Sequence, residues 1–87
     1  MIITAAKIHD GYVEQKLMFV STSAPILKLR AVRNFKGEYE PIVRDYATGV
    51  RLVSGDVRYV NLKDCLRAAE HLAINFITDN IEKVVPF

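Results

Sequence analysis

Apolar and polar residues alternate through the first twenty positions, on both sides of a two-residue Asp10-Gly11 centre. Asp-Gly between two such runs is the strongest short-range signal of a β-hairpin. We therefore predict strands near residues 2–9 and 12–20. A two-residue turn fixes one register, in which the cross-strand pairs are Ile8 with Val13, Lys7 with Glu14, and Thr4 with Leu17.

Alternation divides this hairpin into two faces, and the more apolar one is expected to be buried. The predicted buried face carries Ile2, Thr4, Ala6, Ile8, Val13, Leu17 and Phe19. The opposite face carries Lys7, His9, Tyr12, Glu14 and Lys16 near the turn.

The alternation resumes over residues 26–34, where Leu27, Leu29 and Ala31 share one face and Lys28 and Arg30 share the other. Turn residues then separate short β-prone segments, which lie at 42–46, 50–53 and 57–60. Pro41 suits a strand start or an edge. This part of the chain predicts an antiparallel meander of five or six short strands.

A helical period replaces the alternation after Asn61, whose side chain is suited to cap the first turn, with Asp64 favouring the helix N-terminus. One arc of this helix is entirely apolar and comprises Leu62, Cys65, Leu66, Ala69, Leu72, Ala73, Phe76 and Ile77. Asp79-Asn80 suits its end, and residues 81–85 are predicted as a final edge strand. The fold expected is α+β, with one C-terminal amphipathic helix packed on one face of the sheet.

Length and composition favour a single small α+β domain over residues 1–87, because 51% of the residues are hydrophobic. A lone cysteine excludes an intrachain disulfide bond. Neither a signal peptide nor a membrane-spanning run is recognisable, so we expect a cytoplasmic protein without membrane contact.

Catalytic or metal chemistry is not indicated. Cys65 and His71 are six residues apart, which places them about 120° apart around a helix, too far to act as a nucleophile and its base. We interpret Cys65 as a buried small apolar residue. The cysteine and the two histidines have no metal-ligand spacing, and the glycines stand singly rather than in a phosphate loop. We predict a protein that is not an enzyme and has no cofactor or metal.

Charge points to a first kind of partner, nucleic acid. Residues 28–67 contain nine basic and five acidic residues, a net +4, whereas the remainder has a net charge of −2. The basic candidates for partner binding are Lys28, Arg30, Arg33, Arg44, Lys63, Arg67 and His71, with Tyr39, Tyr46 and Tyr59 available for base stacking. In element order, residues 26–77 resemble the DNA-binding domains of the integrase arm-binding and plant AP2 types. The strands lack tryptophan, so no residue roles are transferred.

Apolar residues point to a second kind of partner, another protein, bound through an exposed sheet edge or through the second face of the sheet. One helix covers only one face of such a sheet, and alternation leaves Ile3, Tyr12, Met18, Val20, Val32 and Tyr46 on the far face. Tyr12 and Met18 join the candidate site residues, and a homodimer is the simplest partner. In size and architecture the chain resembles the small stand-alone proteins, anti-CRISPR proteins among them, by which phages and mobile elements occlude host complexes. The sequence slightly favours this protein-binding regulator or inhibitor over the nucleic-acid alternative.

Overall fold

A computed structural model describes residues 1–21 and 24–80 of the chain. Its elements are β1 (Ile2–Ile3), β2 (Lys7–His9), β3 (Tyr12–Met18), β4 (Pro25–Arg33), β5 (Tyr39–Asp45), β6 (Arg51–Ser54) and α1 (Leu62–Asp79). The predicted α+β meander with one C-terminal helix is confirmed. The final strand predicted at 81–85 lies outside the described residues.

The six strands form one antiparallel sheet. Strands β1 and β2 both pair with β3, so together they make a single edge strand that is interrupted at residues 4–6. Strands β4, β5 and β6 then follow in chain order. Neighbours in the sheet are therefore neighbours in the sequence, as short turns require.

The first hairpin follows the predicted register only near its turn, where Ile8 pairs with Val13. Beyond the interruption Leu17 pairs with Ile3, not with Thr4 as predicted. The Thr4 side chain explains the shift, because its hydroxyl oxygen accepts a hydrogen bond of 2.9 Å from the Lys16 backbone N–H. A shift of one residue exchanges the faces of the strand. Ile3 consequently packs against the core and Ile2 is 43% exposed, so both of these predictions were wrong.

The core lies between α1 and one face of the sheet. Its buried members are Leu17, Leu27, Leu29 and Val43 from the strands and Ala69, Ala73 and Ile77 from the helix. The alanines allow a close approach of the helix to the strands. Because α1 lies over β4, β5 and β6, it does not reach the tip of the first hairpin. Ile8 is therefore 83% exposed and Ala6 is exposed, where burial was predicted.

Both ends of α1 agree with the prediction. The Asn61 side-chain oxygen accepts a hydrogen bond of 2.9 Å from the Lys63 backbone N–H, and Asn80 follows the last helical residue. Cys65, on the predicted apolar arc, is fully buried. The local signals of capping and periodicity are sufficient to place this element.

Pro41 lies inside β5 without interrupting its pairing with β4. Its carbonyl oxygen accepts a hydrogen bond of 3.1 Å from the Gly55 N–H, so its nitrogen also points away from β4. Strand β6 ends at Ser54, so no β6 residue lies opposite Pro41 to accept a hydrogen bond from its nitrogen, and the missing N–H of the proline costs the sheet no hydrogen bond. Beyond it, Tyr59 makes an isolated bridge with Tyr39 where a strand over 57–60 was predicted.

Candidate functional site

One face of the sheet is not covered by α1. Residues that alternate with the core residues of the central strands point to this side, which we call the open face. Its members on β3, β4 and β5 are Tyr12, Glu14, Lys16, Lys28, Arg30, Val32, Glu40, Ile42 and Arg44. These residues are mostly polar or charged and mostly partly exposed.

Four cations stand in line across the open face, one on each of four neighbouring strands. Lys16 pairs with Lys28 and Lys28 with Arg44. A β-bulge turns both Leu52 and Val53 toward the core, and it places Arg51 opposite Arg44. We call these four residues the cationic row. Because neighbouring strands are about 4.8 Å apart, the row extends over about 14 Å.

No carboxylate neutralises the cationic row among the described residues. Glu14 is engaged by Arg30, whose Nε lies 2.8 Å from its Oε1, and by His9 at 3.9 Å. Glu40 pairs with Arg58 at 3.4 Å. Like charges that face each other directly across strands are destabilising. The row therefore carries a cost in stability that no described carboxylate offsets.

The turn between β5 and β6 fixes the position of Arg44. Its Nη1 donates a hydrogen bond of 2.8 Å to the Gly49 carbonyl oxygen, and Gly49 adopts a φ of 75°, which favours glycine. Asp45 holds the same turn by accepting bonds from the backbone N–H and hydroxyl of Thr48. These bonds, the backbone one foremost, lower the pKa of Asp45.

Arg44 has one donor that remains unused. Its Nε is buried and has no hydrogen-bond partner among the described residues. A buried donor without an acceptor costs about 1–3 kcal/mol. The guanidinium is thus held beside two other cations at a further cost to stability.

Cations cover the two tyrosine rings of this surface. Lys16 and Lys28 place their Nζ atoms 5.6 and 5.4 Å from the centroid of the Tyr46 ring. The Tyr12 ring is stacked on His9 with centroids 4.7 Å apart, and the Arg30 guanidinium lies 4.5 Å from its centroid. The rings therefore orient the cations rather than standing free.

The candidate residues identified from the sequence do not form one site. Lys28, Arg30, Arg44 and Tyr12 share the open face. Arg33, three residues after Arg30, falls on the opposite face at the exposed end of β4. Met18 is half-buried at the end of β3, between Ile2 and Pro25.

The remaining three candidates, Lys63, Arg67 and His71, lie on α1, on the other side of the sheet. Two row members, Lys16 and Arg51, were not among the candidates. Only the pairing of residues across neighbouring strands identifies these two as row members.

A groove lies between α1 and residues 55–59, and only two of the three basic candidates on the helix line it. It has a volume of about 570 Å³, and Arg67 and His71 line it whereas Lys63 does not. Asp56 and Asp64 line the same groove. The predicted basic stripe on the helix is therefore interrupted by carboxylates, and it offers no surface of one charge.

Cys65 has the properties of a structural residue. It is fully buried, and burial, with a smaller contribution from Glu40, raises the pKa of its thiol to about 11. Among the described residues no cluster of His, Cys, Asp and Glu is arranged to hold a metal ion. Nor does any helix in the described ranges combine the length and apolarity needed to cross a membrane.

Comparison of the chain with protein-family models, with curated proteins and with solved structures finds no match.

Proposed function

We propose that the open face binds nucleic acid through the cationic row. The observation that supports this proposal is the alignment of Lys16, Lys28, Arg44 and Arg51 without an acidic partner among the described residues. A polyanion that follows the row offsets the repulsion between its members. Neutralising phosphates also releases their counterions, which provides most of the affinity in sequence-independent binding.

The distribution of charge supports the same surface. On β3–β6 the open face carries five cations and two carboxylates, a net +3, namely Lys16, Lys28, Arg30, Arg44 and Arg51 against Glu14 and Glu40. The whole chain has a net charge of +2, so the rest of the chain sums to −1. The positive charge of the protein is thus concentrated on one side, as in nucleic-acid-binding domains.

The structure also bears on the alternative that the sequence slightly favoured, a protein partner on the same face. Of the apolar residues expected there, Met18 and Val32 are half-buried, Ile3 packs against the core and the Tyr12 ring is covered by His9 and Arg30. Tyr46 is 37% exposed beside two lysines, and Val20, 63% exposed, lies beyond the end of β3. The open face therefore offers more charge than apolar area. Clustered charge favours nucleic acid over a protein surface.

A matched pair of double variants tests the proposal by fluorescence anisotropy with a labelled DNA at low salt. Lys16→Gln with Lys28→Gln removes two charges from the row. Lys36→Gln with Lys63→Gln removes the same charge from a turn and from α1, away from the open face. We expect the row variant to bind about tenfold more weakly or worse and the control to bind like the unmodified protein.

Thermal melts of both variants verify that the fold is retained. Failure of the unmodified protein to bind DNA or RNA even at low salt would end the proposal. Equal weakening by the two variants would show that net charge matters and the row does not.

A second candidate function, docking on a protein, is supported at a different place. At the β1 edge of the sheet Met1, Ile2 and Val20 are 56%, 43% and 63% exposed. Among the described residues no strand pairs with the outer side of β1. An unpaired edge strand with apolar side chains favours pairing with another chain. A regulator or inhibitor of the mobile-element kind, or a homodimer, would use this edge. Light scattering of the purified protein over a range of concentrations tests self-association, and a strict monomer that recovers no partner on pull-down counts against this function.

A further inference from the structure

If the open face binds nucleic acid, as proposed above, its side chains also determine which part of the nucleic acid it contacts. We infer that the face binds the phosphodiester backbone of a nucleic acid and does not bind its bases. Recognition is then independent of sequence, and it depends on the number and spacing of the phosphates.

The tyrosine rings of the open face already contact cations, which leave Tyr12 largely covered and Tyr46 37% exposed. His9 reaches the Tyr12 ring from β2 and Arg30 reaches it from β4, and these strands flank β3 on opposite sides. The ring is thus held between an imidazole and a guanidinium. Tyr46 has two lysine ammonium groups within 6 Å of its centroid. A base would have to displace these groups before it could stack.

Two of the three open-face arginines, the residues best suited to read base edges, are engaged within the protein. Arginine recognises guanine with a free two-pronged guanidinium. Arg30 Nε already donates to Glu14, and Arg44 Nη1 donates to the Gly49 carbonyl oxygen. On β3–β6 the open face has no asparagine or glutamine, because Gln15 belongs to the opposite face and donates to the Thr4 carbonyl oxygen. The lysines remain as point charges, which suit phosphates. Arg51 is exposed on β6 and makes no hydrogen bond or ion pair among the described residues, and we assign its guanidinium to a phosphate because it continues the line of the other three cations.

The number of cations in the row sets the number of phosphate contacts. With one phosphate for each cation, the row makes four contacts over a length of about 14 Å. For four contacts, the logarithm of affinity is expected to fall with the logarithm of salt with a slope of about −3.6 for duplex and about −2.8 for single strands. Between about 50 and 200 mM salt, affinity then falls about 150-fold for duplex and about 50-fold for single strands.

Salt titrations followed by fluorescence anisotropy test this mode on the full chain. The probes are a mixed-sequence DNA duplex, an oligothymidine strand and an abasic strand of the same length. We expect the abasic and oligothymidine strands to bind within about twofold of each other and to show the same slope. The Arg51→Gln variant should decrease the magnitude of the slope by about 1 on every probe.

The outcomes separate the inference from the function on which it rests. Binding of oligothymidine at least about tenfold tighter than the abasic strand would overturn the phosphate-only mode and leave nucleic-acid binding in place. A slope unaffected by Arg51→Gln would remove that residue from the contact and overturn the four-phosphate row. Absence of binding to all three probes would end both proposals.

Discussion

Arg30 Nε donates a charge-assisted hydrogen bond of 2.8 Å to Glu14 Oε1 across the β3–β4 pair. This ion pair neutralises one part of the open face, and the cationic row lies beside it. The Glu14 side chain is only 11% exposed, and His9 approaches its other oxygen at 3.9 Å. One carboxylate therefore serves two potential cations, and it lies beside Lys16 and Lys28 without pairing with either.

Replacing Glu14 by Gln should lower stability and raise affinity for nucleic acid together. The free energy of unfolding is expected to fall by about 1–2 kcal/mol, because a partly buried arginine loses its charged acceptor. Affinity at low salt is expected to rise a few-fold, since a negative charge beside the row is removed. Urea denaturation and anisotropy measure the two effects. The control, Glu70→Gln on α1, makes the same charge change away from the open face, and an equal gain in affinity there would contradict the role assigned to Glu14.

Replacing Cys65 by Ala should destabilise the protein by about 1 kcal/mol or more without changing its binding, because it leaves a small cavity under α1. The native thiol should also react with a thiol reagent far more slowly than the thiol in urea. Ala68→Gly, one turn further along the helix, is a control for helix propensity alone. A variant that is fully stable but fails to bind would reverse the structural assignment of Cys65.

The buried Cys65 thiol should make the protein less stable at alkaline pH. Burial raises the pKa of Cys65 from 9.0 to about 11 in the folded protein, so above pH 9 the unfolded chain releases a proton that the folded chain retains. Stability should therefore decrease between pH 9 and about 11. The difference in unfolding free energy between the unmodified protein and Cys65→Ala, measured against pH, isolates the thiol from other groups. A difference that stays constant over this range would contradict the prediction.

Protonation of the Asp45 carboxylate should make the protein less stable at acid pH. Its pKa is lowered, chiefly by the backbone hydrogen bond from Thr48, so its contribution is complete above the ordinary value of 3.8 and is lost as pH falls below it. Asp45→Ala should cost about 1 kcal/mol near neutral pH and less in acid. Asp56→Ala, at an exposed residue, is the matched carboxylate control for urea denaturation.

Gly55 is expected to tolerate no side chain. A Cβ added there would lie 2.9 Å from Pro41 Cγ and 3.4 Å from Leu72 Cδ1, and the proline ring is not free to move away. Gly55→Ala should lower the free energy of unfolding by about 1–3 kcal/mol through overpacking. Ser54→Ala, at the exposed neighbouring position, should be nearly neutral. A stable Gly55→Ala variant would mean that the loop is not seated on Pro41 as described.

Much of the fold was readable from local signals. The Asn61 cap and the apolar arc of α1 placed the helix, and the Asp10-Gly11 centre placed the first hairpin with its register at the turn. These features depend on residues close together in the chain. The register beyond residues 4–6 was not readable, because it depends on one hydrogen bond between the Lys16 N–H and the Thr4 hydroxyl.

The residues of the candidate site were likewise only partly predictable from the sequence. Alternation alone placed Lys28 and Arg30 on one face, and it also placed Arg33 on the other, a signal that the charge-based grouping overlooked. No pattern within one strand could align Arg51 with Lys16. That alignment requires three successive registers, and the last of them contains a β-bulge between Val43 and Arg44.

By itself, then, the sequence determined the element types, the apolar face of the helix and the excess of positive charge, since periodicity and composition are local properties. Only the tertiary structure decided that four of the cations stand in line on one face, while Lys63, Arg67 and His71 lie on the other side of the sheet. The physical reason is that backbone hydrogen bonds between strands, and not the side chains concerned, fix which distant residues become neighbours.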